Sequence, residues 1–198
     1  MKHALIGSSF FTWHIANLFK HKFSVVVTES YNQENDDHVD MRAWCNLWDI
    51  KVSYDLHKSL NEYQPDIVWA IGYRRYIPPE ILHSNKWLII GYHPSPLPKG
   101  RGCSPIIWAH VKKWDTTGST FFKMAQGIDD GPIMDQRIIP VEKTPIQTYR
   151  LLLAACIEQF RFLLNINVME IVPTNQNESE ATYFRRRKKG VDEWIEYL

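Results

Sequence analysis

The sequence of 198 residues has few cysteines and no long apolar run. Its three cysteines, Cys45, Cys103 and Cys156, are odd in number, lie far apart and form no CxxC pair. This pattern argues against a disulfide framework and against a structural zinc site, and we expect no metal. The apolar start of the chain is too short for a signal peptide, and no stretch is long enough to span a membrane. These absences predict a cytoplasmic protein without a membrane partner.

An excess of charge of one sign is also missing. The chain has 23 Lys and Arg against 22 Asp and Glu, which gives a formal net charge of +1 at pH 7. A chain without a broad basic excess is a poor partner for nucleic acid, so we expect a small-molecule substrate. No GxGxxG motif follows the first apolar run, which argues against a dinucleotide-binding oxidoreductase.

The length fits one domain with a short appendage. The chain becomes polar after residue 172, and its last 18 residues are basic and aromatic. We therefore predict a domain over residues 1–172, followed by a linker and small C-terminal appendage over residues 173–198.

Short apolar runs alternate with helical segments in the first half of the chain. Continuous runs of this kind suit strands that are buried on both faces of a parallel sheet. They are Ala4–Gly7, Phe23–Thr28, Asp66–Gly72 and Trp87–Tyr92. Between them, one predicted helix face carries Ile15, Leu18 and Phe19, and another carries Leu56, Leu60 and Tyr63. The alternation predicts an α/β fold with an open, mostly parallel sheet and helices on both faces.

The second half has a different pattern. Residues 118–124 and 133–141 alternate in part between apolar and polar, which predicts two half-exposed strands joined by the turn at residues 127–132. A short helix is expected over residues 105–113 and a long one over 148–164. The long helix places Leu152, Cys156, Gln159, Phe160 and Leu163 near one face.

The loop after Tyr92 is the most informative stretch for function. It begins at His93, and three prolines in five positions (Pro94, Pro96 and Pro98) make it stiff because each fixes φ. Ligands of open α/β sheets lie beyond the carboxyl ends of the strands, where this loop and the loop from Gly72 are expected to meet. A stiff loop in that place suits a histidine that must be held still.

A second polar group occurs in the turn Asp129-Asp130-Gly131-Pro132. Alone it is an ordinary turn sequence. Near a histidine, however, a carboxylate can orient the ring and stabilise its charged form.

These segments together resemble the signature of the formyltetrahydrofolate-dependent formyltransferases. The resemblance covers about residues 66–148, and its motifs are more specific together than any is alone. The motifs are His93–Pro98, Arg101-Gly102, Ser104–Ile106, Trp108-Ala109, Thr117–Thr120, Gly127–Ile133 and Gln136. It implies a Rossmann-like domain that holds formyltetrahydrofolate in a cleft as the formyl donor.

The resemblance also implies roles for residues. His93 and Asp129 match two members of the family's catalytic trio of Asn, His and Asp, whereas Gly91 stands where the Asn is expected. The cofactor-binding residues implied are Gly72, Tyr73, Arg74, Tyr76, Ile77, Leu97, Arg101, Gly127, Ile128 and Asp130. The substrate-binding residues implied are Ser8, Ser9, Ser95, Pro96 and Lys99.

For the function, and above all the acceptor amine, the resemblance leaves three alternatives open. The residues Ala181 to Arg186 resemble the stretch after the catalytic domain of sugar N-formyltransferases, which favours a nucleotide-linked amino sugar and allows a homodimer. Glycinamide ribonucleotide, an amino acid derivative or aminoacyl-tRNA is a second alternative, although the chain is shorter than expected for a complete methionyl-tRNA formyltransferase. Gly91 raises a third, a folate-binding homologue without turnover.

Overall fold

The computed structural model describes residues 1–30 and 37–187. The chain divides into two compact units, Met1–Gly91 and Tyr92–Leu198. The predicted boundary at residue 172 stays a prediction, and residues 188–198 of the predicted appendage lie outside the described part.

Among its described residues, 1–30 and 37–91, the first unit contains four strands and four helices, and a fifth strand runs across the boundary. The strands are β1 (His3–Ile6), β2 (Phe23–Val27), β3 (Val52–Ser53), β4 (Ile67–Ile71) and β5 (Leu88–His93). The helices are α1 (Phe10–Phe19), α2 (Met41–Leu47), α3 (Leu56–Tyr63) and α4 (Pro79–Leu82), with a 3-10 turn at Lys20–Lys22. The four apolar runs all form strands, as predicted, whereas α2, α4 and β3 were not predicted.

The core of the first unit follows the apolar runs. Every residue of β1 and β4 is buried, because both strands have neighbours on either side in the sheet. In α1, Ile15 and Phe19 are buried, but Leu18 is 48% exposed, so its predicted place on the buried face is wrong. Leu18 follows Ile15 by three positions and turns away from the core because the buried face of α1 runs through Thr12, Ile15, Ala16 and Phe19.

The second unit holds the remaining elements. They are β6 (Arg101–Gly102), α5 (Pro105–Val111), β7 (Thr116–Lys123), β8 (Ile133–Pro140), α6 (Pro145–Asn165), 3-10 turns at Val168–Glu170 and Glu178–Glu180, and β9 (Tyr183–Phe184). Strand β9, in the segment predicted as a linker and appendage, pairs in parallel with β6. Two residues are too short a stretch for a strand pattern, so the sequence did not predict this pairing.

Seven of the strands form one mixed sheet in the order β3-β2-β1-β4-β5-β7-β8. Strands β1, β2, β3 and β4 are parallel where they pair, and β7 and β8 are antiparallel. The predicted α/β class with a mostly parallel, Rossmann-like sheet is therefore confirmed. The carboxyl end of β5 leads directly into the loop that begins at His93.

The long helix of the second unit packs as predicted. Leu152, Cys156, Gln159, Phe160 and Leu163 are all buried. Gln159 is satisfied there because it accepts a hydrogen bond from Ser119 Oγ (2.6 Å) and donates to Ser119 O (3.1 Å) and Asp135 Oδ2 (2.6 Å). Strand β7 is buried along six of its eight residues rather than half-exposed, because it has neighbours on either side, β5 and β8.

Two further features bear on the predictions from composition. Among residues 1–30 and 37–187, no helix combines the length and apolar character needed to cross a membrane. Cys45 and Cys156 are buried, and burial raises the pKa of the Cys45 thiol to about 11. A high pKa keeps a thiol protonated at neutral pH and so unreactive.

Gly118 of β7 offers a test of how tightly the His93 loop is packed. A Cβ at this position would lie 2.6 Å from Cα of Pro96, so the two carbon atoms would clash. We expect Gly118→Ala to destabilise the protein by about 1–3 kcal/mol, the usual cost of overpacking. Urea unfolding measures the effect. Lys123→Ala, at the exposed end of the same strand, is the matched control and should change stability by less than about 0.5 kcal/mol. Equal midpoints for the two variants would contradict the close packing.

Candidate active site

Side chains of β7 and β8 form hydrogen bonds to the loop that carries His93. Thr120 Oγ1 donates to Ser95 O at 2.7 Å. Gln136 Nε2 donates both to Leu97 O and to Thr120 Oγ1, each at 2.9 Å. The loop's carbonyl groups are therefore held by two buried or half-buried polar side chains, in addition to the stiffness of its prolines.

His93 is buried and its ring is oriented by the same loop. Nε2 lies 2.8 Å from Gly100 O. A carbonyl oxygen can only accept, so Nε2 carries the proton in this hydrogen bond. In the neutral ring Nδ1 is then the free, basic nitrogen, and it lies 3.6 Å from Asp129 Oδ2. The sequence-based pairing of these two residues is present in the structure.

Asp129 is fixed by its backbone and by its carboxylate. Its φ is 51°, in the left-handed region that a residue with a side chain adopts only when its surroundings hold it there. Oδ2 accepts a hydrogen bond from Gly102 N at 2.9 Å. Gln176 Nε2 donates to Asp129 O at 2.8 Å and to Gly131 O at 2.7 Å. Gln176 was not predicted, and nothing in the local sequence marks it.

The arrangement can move a proton between a ligand and the His93–Asp129 pair. Nδ1 of neutral His93 and the carboxylate of Asp129 are both acceptors, so a donor N–H or O–H placed between them has two oriented acceptors. Once Nδ1 takes up a proton, the carboxylate at 3.6 Å stabilises the resulting positive charge. The pair thus has the geometry of a base with an orienting acid.

Asp130 lies in the same turn but faces another way. Its carboxylate folds over Gly127, where an added Cβ would lie 2.0 Å from Oδ2. Its Oδ1 is buried and has no hydrogen-bond partner among the described residues. A buried acceptor without a partner is costly unless something else donates to it, so Oδ1 is available to a ligand.

Arg101 has a different setting from the one implied by the resemblance. Its side chain is completely buried, and its five N–H groups all have partners. These partners are Gln176 Oε1, both oxygens of Glu178 and the Tyr183 hydroxyl. The hydrogen bonds that Arg101 donates to Glu178 raise the pKa of Arg101 further above its usual range. A ligand that reached this guanidinium would have to displace one of these groups.

Ser8 and Ser9, expected at a substrate, are both buried in the first unit. Ser8 Oγ donates to Glu29 at 2.7 Å. Ser9 Oγ accepts from the backbone N–H of Thr12, while Thr12 Oγ1 accepts from Ser9 N, which is a reciprocal cap at the start of α1. Both hydroxyls have partners within the first unit, Ser8 in Glu29 and Ser9 in the helix cap, which the sequence pattern did not reveal.

The loop after β4, expected at the cofactor, is also described within the first unit. Arg74 donates to Ser8 Oγ and pairs with Asp37. Ile77 is buried and Tyr76 is 66% exposed, while burial raises the pKa of Tyr73. Gly72 O accepts from Ser8 N at 3.3 Å. The cofactor roles of Gly72 and of these four residues stay predictions.

Three residues expected at the substrate belong to the His93 loop. Ser95 is completely buried, and its Oγ has no hydrogen-bond partner. Pro96 and Lys99 line a groove of about 550 Å³ in the second unit, together with Leu97, which was expected at the cofactor. Lys113 and Trp114 lie on its other side, so the groove offers two ammonium groups and an aromatic ring.

Gly91 lies two residues before His93 in β5 and is buried. Side chains two apart in a strand share a face. The position expected to hold an amide therefore lies on the His93 face of the strand and has no side chain to offer. In the part of the chain that the structure describes, no group of three His, Cys, Asp or Glu side chains is arranged to hold a metal.

Two curated relatives are similar to about two thirds of the chain. A methionyl-tRNA formyltransferase from Ehrlichia canis is 36% identical over 126 residues, which is 63% of this chain and 41% of that protein. The bifunctional polymyxin resistance protein ArnA from Wigglesworthia glossinidia brevipalpis is 33% identical over 144 residues, 68% of this chain and 21% of that protein. The chain thus spans less than half the length of either relative.

Solved structures with the same fold are more distant in sequence. An N-formyltransferase from Helicobacter canadensis has a TM-score of 0.77 at 20% identity and covers 94% of this chain and 71% of its own. A phosphoribosylglycinamide formyltransferase from Bacillus halodurans has a TM-score of 0.69 at 21% identity, over 81% of this chain and 91% of its own.

The family model described as formyl transferase matches residues 20–151. That range includes His93, the loop that follows it and the turn at Asp129, whose geometry the sequence motifs anticipated. Because the match covers well over half of the chain, this chain belongs to the formyl transferase family.

Proposed function

We propose that the protein transfers a formyl group from formyltetrahydrofolate to a primary amine. The observation that carries this proposal is the free Nδ1 of His93, held 3.6 Å from Asp129 Oδ2 in a chain of the formyl transferase family. Such a pair supplies a group that can accept the proton that the amine loses when it is formylated.

The chemistry assigns each group a task. The amine nitrogen attacks the formyl carbon, a new C–N bond forms and the carbonyl oxygen becomes an oxyanion. The attacking nitrogen loses a proton to His93 Nδ1, and Asp129 stabilises the imidazolium and can take the proton on through water. The bond between the formyl carbon and the folate nitrogen then breaks, and that nitrogen takes up a proton as tetrahydrofolate leaves.

The donor is assigned to the turn at residues 127–131 and to Leu97 of the second unit. Asp130 Oδ1 supports this because it is a buried acceptor without a partner, and a folate ring carries N–H donors. Structural relatives support the donor's identity: the sugar 3N-formyl transferase WlaRD was crystallised with 5-N-formyl-THF, and the Helicobacter canadensis enzyme with folinic acid.

For the acceptor we propose the amino group of a nucleotide-linked sugar. The structures of those two relatives contain dTDP and dTDP-3-aminofucose, respectively. The groove beside Lys99 and Lys113 suits such a ligand, since ammonium groups can pair with a diphosphate and Trp114 can stack on a base. Methionyl-tRNA is the competing acceptor, because several curated relatives are methionyl-tRNA formyltransferases.

The first prediction concerns the reaction itself. The protein is incubated with formyltetrahydrofolate and a panel of dTDP-linked amino sugars, glycinamide ribonucleotide and methionyl-tRNA. We expect it to formylate an amino sugar, and mass spectrometry of the products measures this. His93→Ala should lower kcat by about 100-fold or more, the usual contribution of an acid–base group. Formylation of methionyl-tRNA alone would overturn the proposed acceptor, and a folded His93→Ala variant with normal turnover would remove His93 from the chemistry.

The second prediction separates the two carboxylates of the turn. Asp129→Asn keeps an oxygen that can accept from Gly102 N, so the fold should survive, but the neutral amide cannot stabilise charged His93. We expect kcat to fall by about 100-fold or more. Asp130→Asn, the matched control, should raise KM for the folate and change kcat much less. Equal losses of kcat would mean that the roles of the two residues have been misassigned.

The third prediction concerns the missing amide at Gly91. One hydrogen-bond donor at a developing oxyanion contributes about 100- to 1000-fold to the rate. Because Gly91 lies in an extended strand, an L side chain meets no backbone strain there, and we expect Gly91→Asn to raise kcat. Gly91→Ala adds the Cβ without the donor and is the control. If Gly91→Asn leaves both rate and stability unchanged, the lack of an amide does not limit turnover, and a folate-binding protein without turnover loses its support.

A further inference from the structure

The C-terminal segment Thr174–Phe184 touches both catalytic loops. It lies beyond the residues matched by the family model, which end at 151, and the sequence predicted a linker and appendage there, with a resemblance to sugar N-formyltransferases at Ala181 to Arg186. In the structure this segment, called the C-terminal segment below, reaches the His93 loop at one end and the Asp129 turn at the other. Each of these contacts involves groups that themselves bond to His93 or Asp129.

Both ends of the C-terminal segment are anchored. At its start, Thr174 and Ile133 exchange two backbone hydrogen bonds of 2.7 and 2.8 Å. At its end, the Phe184 ring stacks on Trp108 with centroids 5.3 Å apart and contacts Trp114 at 5.8 Å. Gly102 packs against Phe184 O, where an added Cβ would lie at 2.2 Å. Paired backbone and aromatic contacts at both ends give the intervening residues a fixed position.

One route from the C-terminal segment leads to His93. The peptide unit between Gly100 and Arg101 accepts from His93 Nε2 through its oxygen, at 2.8 Å, and donates to Thr182 O through its nitrogen, at 2.9 Å. Gly100 N donates to Thr182 Oγ1 at 2.8 Å. Thr182 therefore holds the peptide group that selects the tautomer of His93.

The other route leads to Asp129. Gln176 Nε2 donates to the carbonyl groups of Asp129 and Gly131, and its Oε1 accepts from Arg101 Nε and Nη2 at 3.0 and 2.7 Å. The amide of Gln176 thus holds the backbone on either side of Asp130. This is the backbone that places Asp129 at a positive φ and aims its Oδ2 at Gly102 N and His93.

Arg101 joins the two routes. Its backbone nitrogen belongs to the peptide group bonded to His93, and its guanidinium orients Gln176. The buried positive charge is balanced by Glu178 of the same C-terminal segment. Its burial therefore serves geometry, since a buried arginine with all its donors engaged has one position only.

We propose that the C-terminal segment is a positioning element of the active site, in which Gln176 sets the aim of the Asp129 carboxylate and Thr182 that of the His93 ring. The effect on catalysis rests on the proposed function, whereas the positioning of Asp129 and His93 by the C-terminal segment does not. Small displacements of a reacting group can cost about 100-fold in rate, which makes such an element functionally important.

The fourth prediction tests Gln176. Gln176→Glu is isosteric and keeps an acceptor for Arg101, but it replaces the donor to the carbonyls of Asp129 and Gly131 by an oxygen that repels them. Gln176→Met removes both functions and serves if the first variant fails to fold. We expect kcat to fall by about 10- to 100-fold with KM for both substrates little changed. Val172→Ala, just before the C-terminal segment and 91% exposed, is the control and should retain the wild-type kcat.

A second measurement does not depend on turnover. The Gly102 amide donates to Asp129 Oδ2, so its proton chemical shift and hydrogen-exchange rate report on the aim of that carboxylate. We expect both to change in the two Gln176 variants and to stay constant in Val172→Ala. Folded Gln176 variants with a wild-type Gly102 amide and wild-type kcat would overturn the inference. If the wild-type protein formylates no amine, the proposed function fails, and the Gly102 amide alone then decides whether Gln176 positions Asp129.

Discussion

The arrangement of the second unit depends on one oxygen atom, Oδ2 of Asp129. It accepts a hydrogen bond from Gly102 N and lies across a 3.6 Å gap from the free nitrogen of His93. The same atom thus ties the turn after β7 to the loop after β5 and sets the electrostatic environment of the ring. A carboxylate that accepts from a backbone N–H is held in one orientation, and here that orientation faces the histidine.

The core of the second unit and the polar side chains next to it hold the His93 loop in place. The apolar faces of β7 and α6 form the core, in which Phe121 and Phe160 are fully buried. Thr120 and Gln136 extend from this core and hold the loop by its carbonyl groups. Side chains bind these carbonyl groups because the loop is not paired as a strand there. Its three prolines also lack N–H groups, so the backbone needs partners from elsewhere. His93 and Asp129 are therefore held in place by a rigid scaffold.

Local patterns in the sequence predicted what depends on local physics. The apolar runs gave β1, β2, β4 and β5, and the spacing of Leu152, Cys156 and Phe160 gave the buried face of α6. The motif resemblance brought His93 and Asp129 together correctly. Leu18 was misplaced because an apolar residue on a helix can lie beside the buried face as easily as on it.

The remaining features depend on contacts that no local pattern carries. A serine at position 9 is as typical of a helix cap as of a ligand-binding loop. The hydrogen bond between Ser9 and Thr12 shows that it caps α1. Arg101 and Gln176 are 75 residues apart, and Gly100 and Thr182 are 82 apart. A polar residue in a segment without periodicity has many potential partners, so the sequence could not show that residues 174–184 complete the site.

These sequence separations have a consequence for how the protein acquires its active form. Closing a loop becomes entropically more costly as the loop lengthens, and contacts between distant residues tend to form after local ones. The helices and the β7–β8 pair can form from contacts between nearby residues, whereas the bonds of Arg101 and Gly100 require residues up to Tyr183. We therefore expect the contacts between the C-terminal segment and the His93 loop to form late in folding, after the local structure on either side of them.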